Sequence, residues 1–398
     1  MTVGIIITLC TLVLLAYIFD FTSAKTKIPS VILLLVLGYV VRQLCNLFGV
    51  VLFNLNSILP VLGTIGLILI VLEGALELEL DKGKLPLVGK TVWVALVPIL
   101  VLSFGIALTI HYIAGYNMQQ CLANAVPLAI ISSSIAIPAT RNFTAGQREF
   151  VIYESSISDI LGVIFFNFIA LHTTFGVMSF VLFFAELIII VLISFVATGA
   201  LSFMLSRLQH HIKFVPIIFL VILVYEISKV FHLPSLVFIL VFGLFLNNLE
   251  KIKHIGFVQK LKPSVLHIEV KKFKEITIEA TFLVRALFFL LFGYLIKTSE
   301  LIDTDTLAWS VGITAAIFLV RVLILKAAKM PLSPLVFVAP RGLITILLFL
   351  SLTPQLRIPL ISRPIIIQVI ILSALVLMVG ALLNKRPVTE GAVAEYPG

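Results

Sequence analysis

Ile28-Pro29-Ser30-Val31-Ile32-Leu33-Leu34-Leu35-Val36-Leu37-Gly38 recurs in the second half of the chain as Leu233-Pro234-Ser235-Leu236-Val237-Phe238-Ile239-Leu240-Val241-Phe242-Gly243. The two align without gaps and are identical at Pro, Ser, Leu, Val and Gly. Both are apolar runs, so their relative direction depends on how many crossings lie between them. The chain of 398 residues is 61% hydrophobic and 12% charged, with a mean hydropathy of +1.21. That composition belongs to a polytopic, all-α membrane protein. Apolar segments able to cross a bilayer, or half of one plus a break, fall near 3-19, 28-47, 58-76, 88-113, 120-140, 147-174, 177-205, 214-231, 233-248, 276-297, 305-328, 331-352 and 362-384. The first copy is then span 2 and the second span 9. An odd offset means opposite crossings, the signature of an inverted-topology repeat. We read residues 1-384 as one transmembrane transporter domain, with repeats at about 1-174 and 214-384, a linker helix over 177-205, and a short tail at 385-398.

The charges give the orientation. Connections after odd-numbered spans hold twenty Lys and Arg residues and those after even-numbered spans hold five; Arg285, Arg321 and Arg341 lie within spans. The positive-inside rule puts the odd connections and the C-terminus in the cytoplasm and the N-terminus outside. It also accounts for the net charge of +9 without nucleic acid. The first run begins directly after Met1-Thr2, with no basic region or cleavage pattern, and reads as a retained span. Cys10, Cys45 and Cys121 have no metal-type or disulfide spacing. No metal constellation or Ser-Lys dyad lies in the spans, so neither an enzyme nor a cofactor is expected.

The same offset pairs span 5 with span 12, and both carry helix breakers: Ile131-Ser132-Ser133-Ser134-Ile135-Ala136-Ile137-Pro138 and Val338-Ala339-Pro340-Arg341-Gly342-Leu343. A proline inside a helix removes a backbone hydrogen bond and frees carbonyls. Paired breaks at corresponding positions point to a midplane substrate site built on two crossed broken helices.

Span 6 reads Tyr153-Glu154-Ser155-Ser156-Ile157-Ser158-Asp159-Ile160-Leu161-Gly162. An ionisable group in hydrocarbon costs roughly 2.5 to 3.5 kcal/mol and marks function by default. Ser155, Ser158, Asp159 and Gly162 share one helical face, and no Lys or Arg lies one turn from Asp159, leaving it free to hold a cation or a proton. Glu154 points roughly 140° away, towards another helix, and the lone cation Arg321 is its natural partner. Glu73 follows Gly63, Gly66 and Ile70 on a face of span 3 whose small residues permit packing against span 6. Arg285 is open to three readings: structural, lipid headgroup contact, or partner for a carboxylate. Arg341 at the span 12 break is placed to solvate freed carbonyls. The lysine-rich stretch 251-274 reads as a cytoplasmic linker, with Phe257, Leu261, Val265 and Ile268 at helical spacing.

These residues resemble the monovalent cation:proton antiporters, and within them the NhaP-like sodium/proton exchangers. The resemblance rests on Gly66-Leu67 to Glu77, the Glu-Ser-x-x-Ser-Asp stretch, Phe288-Phe289 to Gly293, Arg321 and Arg341-Gly342. It implies that Asp159, Ser155 and Glu73 meet the ion while Glu154 and Arg321 form a structural ion pair. Two departures stand out. Ser158 replaces the family's usual Asn, and Ala136-Ile137-Pro138 lacks the acid usual before the span 5 break. The ion is then left to serine hydroxyls, with Ser133 and Ser134 beside Ser158, and to backbone carbonyls. The expected activity is exchange of a monovalent cation, Na⁺ before K⁺ or Li⁺, for H⁺, one for one at Asp159. Spans 3 to 6 and 10 to 13 would move against a layer that dimerises, giving a homodimer among lipids of a prokaryotic plasma (inner) membrane, with a role in pH homeostasis. The alternative is a cation channel or an ion-sensing membrane protein on the same scaffold.

Overall fold

The computed structural model describes residues 2–26, 28–49, 58–78, 83, 85–140, 143–171, 177–207, 214–231, 235–249, 251 and 263–383. Pro234, Glu79, Asp81, Phe257, Leu261, several loop lysines and the tail 385–398 lie outside them.

Every regular element among the described residues is helical, as hydrocarbon requires, because only a helix or a closed barrel satisfies each backbone N–H and C=O without water. In order they are α1 (Thr2–Thr26), α2 (Ser30–Leu47), α3 (Ile58–Glu77), α4 (Leu85–Ala114), α5 (Met118–Ala129) and α6 (Ser133–Ala139). There follow α7 (Ala145–Leu171), α8 (Val177–Arg207), α9 (Phe214–Val230), α10 (Leu236–Asn247) and α11 (Pro263–Leu295). The chain ends with α12 (Thr298–Leu301), α13 (Thr304–Ala327), a 3₁₀ turn (Leu335–Phe337), α14 (Leu343–Ser351) and α15 (Arg363–Leu383). Among the described residues, eight spans, with α5 and α6 taken together as one, are long and apolar enough to cross a membrane. Shorter apolar helices cover Cys10–Thr22, Ile188–Ala200 and Leu236–Asn247.

Glycines set how the two halves interlock. A Cβ on Gly38 would collide with the Leu290 carbonyl oxygen and lie 2.7 Å from the Tyr294 nitrogen, and Gly293 sits as tightly on the Leu35 backbone. Helix α2 therefore rests backbone to backbone on α11. Gly243, at the position aligned with Gly38, rests on Ala75 of α3. Each copy of the repeated stretch thus lays its glycine on the opposite half, span 2 on span 10 and span 9 on span 3. Gly38→Ala should lower thermal stability in detergent by about 1–3 kcal/mol through forced separation of α2 and α11. An unchanged melting curve would show that this crossing is not tight.

Two packing expectations are corrected. Gly63 faces Leu347 and Phe288, and Gly66 faces Val284 and Leu343, so this side of α3 seats α11 and α14 instead of α7. Only Gly74, turned by roughly 80° from Gly66, meets α7, with its Cβ position 3.1 Å from Ser156 Oγ. The second correction concerns the stretch before span 10. Residues 263–275 are not a separate surface linker but the first part of one helix ending at Leu295. Between Ser264 and Phe292 no Pro or Gly interrupts the chain, and Val270 and Phe273 are buried, with Phe273 against Phe214 and Phe242.

Candidate functional site

Two interruptions meet in the interior. Helix α5 is opened by Asn117, whose side chain accepts from the Gln119 nitrogen at 3.1 Å, and it stops at Ala129. Ile130 to Ser132 are extended, and α6 starts at Ser133. On the other side the 3₁₀ turn gives way to Val338–Gly342 before α14. The extended stretches touch, the Ser132 nitrogen donating to the Pro340 carbonyl at 2.9 Å. A Cβ on Gly342 would lie 2.8 Å from Ser132 Oγ and 2.7 Å from Ile135 Cδ1, so a side chain there would have to push these two aside for the breaks to stay this close.

The orphaned carbonyls are answered by side chains. Arg341, 1% exposed, donates from Nε to Leu128 O at 2.6 Å, from Nη2 to Ala129 O at 3.3 Å and from Nη1 to Ala339 O at 2.9 Å. A cation at the C-terminus of α5 also complements the helix dipole. Ser158 Oγ accepts from the Ile131 nitrogen at 3.0 Å. The span 5 break lies at 130–132, several residues before Pro138, which sits in the last turn of α6. Lacking an N–H, Pro138 cannot bond the carbonyl one turn back, that of Ser134; Arg285 Nη1 reaches that oxygen instead at 3.4 Å. Of the three readings for Arg285, this bond supports the structural one, and the guanidinium also lies within electrostatic reach of the Glu73 carboxylate in the same cavity.

Asp159, 3% exposed, faces the break from α7. Its Oδ2 accepts from the backbone nitrogen of Ser133 at 3.3 Å and from the Ser133 hydroxyl. Its Oδ1 is buried with no hydrogen-bond partner among the described residues. Such an oxygen is costly unless something satisfies it, and a desolvated cation or a proton would do so.

The remaining sequence candidates divide. Among the described residues, Ser133 is the candidate that hydrogen-bonds Asp159. Ser134 Oγ pairs with Ser132 Oγ at 2.9 Å, and Ser155 Oγ donates back to the Val151 carbonyl at 2.7 Å, so both hydroxyls retain acceptor capacity. Glu73 lines a cavity of about 510 Å³ together with Ser133, Ser134, Arg285, Glu77, Asp20, Arg148 and Glu279. The last three were not singled out from the sequence, where they look like ordinary helix-end charges. A second cavity of about 360 Å³ lies towards the opposite ends of α3 and α7, and Leu67, Val163, Phe166 and Leu347 are among the residues that line it.

Glu154 is held apart from this. Both terminal nitrogens of Arg321 face its two oxygens, Nη2 to Oε2 at 2.9 Å, and Nε donates to Leu335 O at 3.2 Å. Both residues are at most 2% exposed. The pair fastens α7 to α13 and the 3₁₀ turn and uses up the charge of Glu154. Among the described residues no group of three His, Cys, Asp or Glu could hold a metal centre.

Comparison with known proteins adds the following. A family model described as sodium/hydrogen exchanger, transmembrane, matches residues 10–385. The structure of the sodium proton antiporter MjNhaP1 from Methanocaldococcus jannaschii at pH 8 superposes with a TM-score of 0.70 at 17% identity, over 95% of this chain and 100% of that one. An electron-microscopy structure of the same antiporter gives 0.68 at 17% identity, over 97% and 100%. The search of curated proteins returned no match.

Proposed function

Because the chain belongs to the transmembrane sodium/hydrogen exchanger family, a family of cation/proton antiporters, we propose that it exchanges one Na⁺ for one H⁺ at Asp159. The observation that carries this reading is the unpartnered, buried Oδ1 of Asp159 beside the crossed breaks. A carboxylate there accepts either a cation or a proton, and occupation by one excludes the other. That mutual exclusion couples the two fluxes. Ser133 orients the carboxylate through Oδ2. The hydroxyls of Ser155, Ser158 and Ser134, together with Glu73, complete a neutral or weakly charged oxygen shell suited to a monovalent ion. Na⁺ is the first candidate and K⁺ and Li⁺ the others.

In this reading the cavity lined by Ser133 and Glu73 is the route to one side, and the cavity lined by Leu67, Val163 and Leu347 is the route to the other. The Lys and Arg distribution orients the first towards the cytoplasm and the N-terminus outward, in a prokaryotic plasma membrane. Alternating access follows if spans 3 to 6 and 10 to 13 rock against the remaining spans in a homodimer, with repeats at about 1–174 and 214–384. Proteoliposomes carrying an internal pH dye, challenged with Na⁺, K⁺ or Li⁺, test the exchange. Cation uptake without proton movement would instead identify a channel.

One-for-one exchange has a further consequence. Ser158 cannot ionise, the span 5 break contributes no acid, and Glu154 is neutralised by Arg321, so the loaded site carries the same charge with either passenger. Turnover should therefore not respond to membrane potential. A potassium-valinomycin potential imposed on liposomes exchanging Na⁺ should leave the rate unchanged. If the potential alone drives exchange, a second acid titrates in the cycle, and Glu73 is the first to replace.

A further inference from the structure

The two cavities differ in charge. Four carboxylates, those of Asp20, Glu73, Glu77 and Glu279, and two guanidiniums, of Arg148 and Arg285, line the inner cavity. Their formal sum is two negative charges. Lys229 is the one charged residue among those lining the outer cavity, whose polar groups are otherwise neutral. Of the chain connections at that end, 48–57, 172–176, 231–235 and 352–362 contain neither Asp nor Glu, while the connection 296–303 holds Glu300 and Asp303, neither of which lines the cavity. Lys274 of α11 and Glu226 of α9 line neither cavity but act electrostatically on residues that do, Lys274 on Glu73 and Glu77 and Glu226 on Tyr225; with both counted the inner cavity is still the more negative by one formal charge.

A cleft with low-dielectric walls focuses the field of its lining charges and changes the local concentration of a permeating ion. We infer that this exchanger is kinetically one-sided: the acid-lined vestibule captures the cation at lower bulk concentration than the Lys229 vestibule does. The inference rests on the exchange reading above. It adds that Glu279 and Lys229, which make no contact with Asp159, set the apparent affinity on opposite sides. With the acid-lined side facing the cytoplasm, the bias favours loading cytoplasmic cation for export. Protons are concentrated by the same field, so the difference is best read at alkaline pH, where they compete least for the carboxylate.

The experiment compares cation KM in everted and right-side-out membrane vesicles, at low ionic strength and alkaline pH, for the wild type, Glu279→Gln and Lys229→Gln. The wild type should show KM about fivefold lower from one side, narrowing to less than about twofold in roughly 0.5 M of a non-transported salt as the charges are screened. Glu279→Gln should raise KM about two- to threefold from the low-KM side only, and Lys229→Gln should lower it from the other side only. This assignment identifies the sides by the variants themselves, whatever the orientation in the membrane. Equal wild-type KM from both sides, or a variant that shifts both sides together, overturns the inference and leaves the exchange reading standing. Wild-type vesicles with no cation-dependent proton flux from either side overturn both.

Discussion

Asp159→Asn is expected to reduce cation-driven proton flux to the background of empty liposomes while the protein stays folded and melts near the wild-type temperature. The amide keeps the size of the carboxylate and can still accept from Ser133 through its oxygen. It can neither take up a proton in the physiological range nor offer a full negative charge to a cation. Because Oδ1 lacks a protein partner, no structural bond is lost by the exchange of atoms. Substantial residual cation-driven flux in a folded Asn variant would remove Asp159 from the centre of the mechanism. Ser133→Ala provides the graded comparison: the carboxylate remains but loses its hydroxyl contact, so exchange should persist with altered cation KM.

Arg321→Ala and Glu154→Gln should show the converse pattern, with a large loss of stability and a smaller loss of intrinsic turnover. Each leaves one member of a buried pair without its counter-charge, a situation that costs roughly 3–5 kcal/mol. Arg321→Ala also removes one of the two donors to the Leu335 carbonyl, leaving the Val338 nitrogen. Thermal melting in detergent, paired with flux normalised to folded protein, separates the two effects. A double variant, Glu154→Leu with Arg321→Met, should recover part of the stability of either single variant, because an apolar pair carries no uncompensated charge. Should both single variants melt like the wild type yet fail to transport, the pair would belong to the ion pathway and not to the scaffold.

Some of this was legible in the chain because hydrocarbon is an unforgiving solvent. Glu154 and Asp159 stand out among apolar neighbours, and Arg321 is a lone cation whose burial demands a partner. The Gly38 and Gly243 positions were visible as a repeat. Other features were not legible. Pro138 drew attention to the wrong end of the span 5 break, because a proline marks where a backbone bond is missing, not where the helix actually stops. The break at 130–132 depends on Arg341, Ser158 and Pro340 arriving from elsewhere in the chain to satisfy its backbone.

By itself the sequence determined that this is a polytopic helical membrane protein built from an inverted repeat, with Asp159 an acid in a span that has no Lys or Arg one turn away. Those properties follow from composition, from the period of a helix and from the cost of charge in lipid, all of which act locally. Only the tertiary structure decided which groups share that acid. It gave Ser133 to Asp159, engaged one acceptor site of the Ser158 hydroxyl in the break, turned Gly63 and Gly66 towards α14 and α11, and gathered Asp20, Arg148 and Glu279 into the cavity of Glu73. Such partnerships join residues from 26 positions apart, as Ser133 and Asp159, to 284 apart, as Gly63 and Leu347, and they are fixed by how closely glycine faces let helices approach and by where interrupted backbones find their missing hydrogen bonds.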